Sequence, residues 1–103
     1  MGFVKVGSLA ALPSGSPRQV FAEGQTIALC RVGDVVYAVD GICPHNGGPL
    51  GHGALHGTTL VCPYHAWEFD CVTGEYDRNP EVRLRRFEVK VEGGEIYVDA
   101  GAA

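Results

Sequence analysis

The chain has no long apolar run. Its best stretch near the start, Val6 to Leu12, is interrupted by Gly7 and Ser8 and stopped by Pro13, which leaves it too short and too broken for a signal segment or a spanning helix. Gly2 is followed by Phe3-Val4-Lys5-Val6, without the Ser or Thr of a myristoylation motif. Basic residues are scarce: 8 Lys and Arg stand against 12 Asp and Glu, for a net charge of −4, whereas nucleic acid rewards clustered positive charge. The one tight basic group, Arg83, Arg85 and Arg86, reads as a solvated strand face. At 103 residues there is room for one domain with a modest core, and none for separate cofactor and substrate domains. No amphipathic helix of useful length, internal repeat or extended low-complexity segment is visible. Nor is there a Ser-His-Asp or Cys-His arrangement with a separate base. The expectation is a cytoplasmic protein that engages neither membrane nor nucleic acid and has no catalytic nucleophile. In such a chain 4 cysteines point to metal or redox chemistry before disulfides.

What the chain does have is glycine, 15 residues of it, with 6 prolines, punctuating short apolar runs in the manner of an all-β fold. Val20-Phe21-Ala22 and Thr26-Ile27-Ala28-Leu29 flank a tight turn at Glu23-Gly24. Gly33-Asp34 separates that strand from Val35-Val36-Tyr37-Ala38-Val39, where Val35, Tyr37 and Val39 share a face. Phe87, Val89 and Val91 alternate with charged residues, and Gly93-Gly94 turns the chain into Glu95-Ile96-Tyr97-Val98. Val82 and Leu84 lie in the opposite phase to Phe87, so Arg85-Arg86 marks a bulge or bend.

Between Gly41 and Gly57 the alternation stops, and Gly47, Gly48, Pro49, Gly51 and Gly53 dominate. A loop of that length in a compact domain is usually functional, and the region 41–79 that contains it is short of apolar anchors. Residues 1–40 and 80–100 therefore read as a basal β scaffold, and 41–79 as an inserted, site-bearing subdomain of a single domain spanning 1–103.

Two pieces in that insert carry chemistry: Cys43-Pro44-His45 and Cys62-Pro63-Tyr64-His65, with sixteen residues between His45 and Cys62. Each supplies one thiolate and one imidazole from a tight turn. Two sulfurs and two nitrogens suit a [2Fe–2S] cluster in which histidines replace the cysteines on one iron. They also suit tetrahedral zinc. The common zinc-finger spacing takes both cysteines from one end and both histidines from the other. Here the types alternate, as they must if both turns grip both irons, and this favours the cluster.

Cys-x-His, sixteen residues, then Cys-x-x-His resembles the Rieske box. The continuation Ala66-Trp67-Glu68-Phe69-Asp70 and Thr73-Gly74-Glu75 is similar to the tail of the second cluster loop in Rieske ferredoxins and oxygenases. The resemblance implies three antiparallel sheets, with a cluster-binding subdomain emerging from a sandwich-like base. It implies one Rieske-type [2Fe–2S] cofactor held by Cys43, His45, Cys62 and His65. It also implies backbone N–H donors to cluster sulfur near Asn46, Gly47, Gly48, Ala66 and Trp67. High-potential members carry a bridging cysteine in each loop, and a serine and a tyrosine whose hydroxyls donate to sulfur. The matching positions here are Gly48 and Tyr64, then Trp67 and Phe69. With two ferric ions, two sulfides and two thiolates the oxidised core is neutral, so it accepts an electron more readily than an all-cysteine cluster.

The function implied is that of a soluble one-electron carrier, not an enzyme, passing electrons from a flavin-dependent reductase to a terminal oxygenase of the ring-hydroxylating type. The alternative is a small subunit of a larger oxidoreductase such as a nitrite reductase. Docking is expected at the tips carrying His45 and His65, on a patch of Gly47, Gly48, Pro49 and Leu50. Pro49 and Leu50 are also placed to shield the cluster from water. Cys30 and Cys71 read as small buried thiols, their pairing in a disulfide unsupported. His52 and His56 read as polar loop residues, and Trp67, Phe69 and the remaining aromatics as core.

Overall fold

The computed structural model describes residues 2–45, 47–64 and 66–100. Two antiparallel sheets account for most of them. The larger contains β1 (Val4–Ser8), β2 (Pro17–Ala22), β3 (Gln25–Val32), β4 (Val35–Asp40), β10 (Arg86–Glu92) and β11 (Glu95–Asp99), in the order β1-β11-β10-β4-β3-β2. The smaller runs in chain order through β5 (Ala54–His56), β6 (Thr59–Val61), β7 (Glu68–Asp70), β8 (Glu75–Tyr76) and β9 (Asn79–Arg83).

The expected turns are present. Glu23 and Gly24 have φ of 52° and 76° and set Ala22 opposite Gln25. Gly93 and Gly94, at 58° and 79°, set Glu92 opposite Glu95. Positive φ at both central residues matches the twist of the strands they join. Gly33-Asp34 closes Val32 onto Val35.

Strand β3 lies between two cores. Ile27 and Leu29 face one, with Val20, Val36, Phe87, Ile96 and Val98. Ala28 and Cys30 face the other, with Val39, Leu50, Leu60, Phe69 and Leu84. A strand covered on both faces reads as an unbroken apolar run, which is why Ile27-Ala28-Leu29-Cys30 shows no alternation. In β4, Tyr37 and Val39 share the second core, while Val36 and Ala38 fill the first. Val35, at the strand's start, is half exposed.

The phase change around Arg85-Arg86 is where the chain crosses from one sheet to the other. Leu84 is buried in the second core and Phe87 in the first, and β9 ends at Arg83 while β10 begins at Arg86. Residues 79–83 thus pair within the smaller sheet. Of the three sheets the resemblance implies, two are continuous here. Strand β10 pairs with β4 through Arg86 and Phe87 and with β11 from Glu88 to Glu92.

The glycine-rich stretch is more ordered than its composition suggests. It holds a 3₁₀ turn at Leu50–His52 and strand β5. Leu50 and Leu55 sink into the second core beside Leu60 and Phe69. This corrects the expectation that 41–79 is short of apolar anchors: Leu50, Leu55, Leu60 and Phe69 are all buried. No helix among the described residues is long and apolar enough to cross a membrane.

Candidate metal centre

The two Cys/His segments fold into the same turn. The Cys43 N–H donates to the Gly48 carbonyl at 2.9 Å, and the Gly47 N–H donates to the Cys43 carbonyl at 2.8 Å. In the second turn the Cys62 N–H donates to the Trp67 carbonyl at 2.8 Å, and the Ala66 N–H to the Cys62 carbonyl at 3.1 Å. The offsets from the cysteine are identical. So is the backbone at the fourth residue on, where Gly47 has φ 77° and Ala66 φ 59°. Glycine adopts that left-handed conformation freely, whereas alanine does so at a cost of about 1–2 kcal/mol. Pro44 and Pro63 follow their cysteines with φ restricted by the ring. The first turn is tied to the scaffold through the Leu50 N–H to the Gly41 carbonyl at 2.9 Å and the Ile42 N–H to Asp40 Oδ1 at 3.0 Å.

Both cysteines are buried, each 1% exposed, while Pro44, His45, Gly47, Pro63, Tyr64 and Ala66 are exposed. The turns face one another. A Cβ built on Gly48 would lie 2.8 Å from Cys62 Sγ and 3.2 Å from the Tyr64 ring. Gly48 and Tyr64, the positions of the bridging cysteines in high-potential relatives, are therefore neighbours. His65 and Asn46 lie outside the described residues, and among those described no three ligand-type side chains converge as a ready ion site. The donor set suits a [2Fe–2S] group nevertheless, because it offers buried thiols for one iron and an exposed imidazole for the other.

Beside His45 lies an aromatic stack. The imidazole is parallel to the Trp67 indole, with centroids 4.1 Å apart and planes 6° apart. The other face of the indole meets the Tyr76 ring at 4.1 Å and 10°. Phe69, fully buried, packs obliquely against both, at 6.3 Å from Trp67 and 5.5 Å from Tyr76. Phe69 is thus core as expected. Trp67 is packed against the second core but also against His45. The involvement of Tyr76 was not foreseen, since nothing in its local sequence sets it apart from a core aromatic.

Several other expectations change. The amides of Gly47 and Ala66, candidates for donation to sulfur, close their own turns instead. Gly48 and Leu50 are buried, so the exposed patch comprises Pro44, His45, Gly47, Pro63, Tyr64 and Ala66. His52 and His56 are exposed. None of the four cysteines is in a disulfide. Cys30 and Cys71 are buried, as read, and hydrogen bonding between their thiols pushes the Cys30 thiol up and the Cys71 thiol down. The basic group lies on the surface as read: Arg83 pairs with Glu75 at 2.9 Å, Arg85 sits over the Phe87 ring at 4.7 Å, and Arg86 donates to the Val72 carbonyl at 3.2 Å.

An antiparallel β domain with two equivalent turns, each built on a buried cysteine that the sequence follows with a histidine two or three residues on, belongs to the class of two-loop iron–sulfur proteins. The chain is a member of the Rieske [2Fe–2S] domain family, which matches residues 2–88. It is 37% identical over 98 residues to ferredoxin CarAc of Metapseudomonas resinovorans, covering 93% of this chain and 92% of that protein. It is 32% identical over 93 residues to the ferredoxin component of the naphthalene 1,2-dioxygenase system of Pseudomonas aeruginosa, covering 89% of each. Among solved structures it resembles a chain in the complex of reduced oxygenase and oxidized ferredoxin in carbazole 1,9a-dioxygenase. There the TM-score is 0.88 at 34% identity, covering 98% of this chain and 95% of that one.

Proposed function

We propose that this protein is a one-electron carrier that delivers electrons to a terminal ring-hydroxylating oxygenase, holding one [2Fe–2S] cluster on Cys43, His45, Cys62 and His65. The cysteines bind one iron and the histidines the other. The carrying observation is the duplicated turn: the same hydrogen bonds and the same left-handed residue recur after Cys43 and after Cys62. Two equivalent turns let a binuclear group be gripped from two sides, and the pairing of one cysteine with one histidine in each, rather than the duplication alone, favours it over a single metal ion. The level of identity to ferredoxins supports a carrier over a subunit of a larger enzyme.

When bound, the cluster would supply one-electron chemistry. The protein's part is to bury the thiolates, keep His45 at the surface and exclude water with Leu50 and Phe69, both fully buried. The donor is a flavin-dependent reductase, the compartment is the cytoplasm, and residues 41–79 act as the cluster-binding subdomain. The test is to measure iron, acid-labile sulfide and the electron paramagnetic resonance spectrum of the dithionite-reduced protein. Two irons and two sulfides per chain with a Rieske-type signal are expected, lost on Cys62→Ser and kept on His52→Ala and His56→Ala. Colourless protein with stoichiometric zinc would overturn the reading.

A further inference from the structure

From the stacked rings we infer that Trp67, pinned by Tyr76, is a positioning residue that fixes the ring plane of His45, and that the electronic structure of the cluster depends on this two-ring support. The inference rests on the function proposed above, in which His45 is a ligand to iron.

His45 stands on an exposed turn tip, and the terminal torsion of an imidazole is broad, so a flat neighbour can bias its ring plane. One face is occupied. The indole lies parallel to it at 4.1 Å and 6°, whereas aromatic contacts without such constraint scatter between offset and tilted arrangements. An indole at a turn end would be a poor reference plane if it could itself swing. It cannot, because Tyr76 closes its other face at 4.1 Å and 10°. Tyr76 is fixed in turn by strand β8, where it pairs with Phe69 across the ladder, and by the buried Phe69 ring at 5.5 Å. The support therefore runs from a fully buried core ring, through Tyr76 and Trp67, to a ligand at the surface. Residues beyond the first ligands commonly orient imidazoles at metal centres through hydrogen bonds; here parallel rings are placed to do it.

Tyr76 is one ring removed from His45, so any influence it has must pass through Trp67. That gives a test which simple loss of packing would not satisfy. In the loaded, reduced protein, electron paramagnetic resonance and its nitrogen hyperfine couplings report the histidine ligands, and voltammetry reports the potential. Trp67→Ala is expected to shift the g-values, the couplings assigned to one imidazole and the potential, at unchanged iron and sulfide content. Trp67→Phe, which restores a flat ring, is expected to return them towards wild type. Tyr76→Ala is expected to produce a smaller shift, and the Trp67→Ala, Tyr76→Ala double variant to match Trp67→Ala alone. If Trp67→Ala fails to load, Tyr76→Ala decides: shifted couplings uphold the inference and unchanged couplings overturn it. Loaded Trp67→Ala with wild-type couplings and potential would overturn it, as would a Tyr76→Ala effect that adds in full to that of Trp67→Ala. Wild-type protein without iron would overturn the parent reading and this inference together, while loaded variants with unchanged signals overturn this inference alone.

Discussion

A side chain at position 48 would place its first carbon 2.8 Å from the sulfur of Cys62. Gly48 thus lies against the second turn, with the Tyr64 ring 3.2 Å from the same point. Such contacts lie well inside van der Waals separation, so even a methyl group must push the turns apart. Gly48→Ala is expected to lower iron and sulfide content per chain markedly. Colorimetric iron and sulfide assays on freshly purified protein check this.

The two turns share one backbone but not one residue at its left-handed position. Gly47→Ala is expected to destabilise the protein by about 1 kcal/mol, and Ala66→Gly to stabilise it by a similar amount, because only glycine adopts positive φ without steric cost. The opposite signs are the point of the pair. They are read from the thermal midpoint of the visible absorbance of the loaded protein.

Partner docking is expected to centre on the exposed tip, which keeps Gly47 of the patch first expected but not the buried Gly48 and Leu50. Tyr64 is 60% exposed, close to the turn carrying His45, and the chain is acidic overall. Transient redox contacts are small, and charge governs their on-rate more than their affinity. Electron transfer from a suitable flavin-dependent reductase is expected to slow with rising salt, and several-fold with Tyr64→Glu, at unchanged iron content. Stopped-flow bleaching of the cluster measures both.

The reduction potential is expected near the low end of the Rieske range, roughly −150 mV on a scale reaching about +300 mV. Phe69 and Trp67 stand where high-potential relatives place hydroxyl donors to sulfur, and neither has a hydroxyl. Hydrogen bonds to sulfur stabilise the more negative, reduced cluster and raise the potential. Phe69 is fully buried, so a hydroxyl at its ring tip is screened little by water. Voltammetry of wild type and Phe69→Tyr is expected to give a low value for the first and a higher one for the second.

The candidate ligands were legible because thiolate and imidazole chemistry needs particular residue types at close spacing, and Cys43-Pro44-His45 and Cys62-Pro63-Tyr64-His65 are rare strings. The hairpins at Glu23-Gly24 and Gly93-Gly94 were legible because turn conformation is decided within a few residues. Other features were decided only when distant segments met. Gly48 looked like a surface glycine until the second turn brought Cys62 against it. Leu50 and Leu55 looked too sparse to anchor a loop until β3 offered them its second face. Tyr76 had no local mark at all: its place behind Trp67 exists because β7 and β8 pair and set three rings in line. Local chemistry and turn geometry act over a handful of bonds and can be read along the chain. Packing joins residues tens of positions apart, so the support of His45 belongs to the folded protein alone.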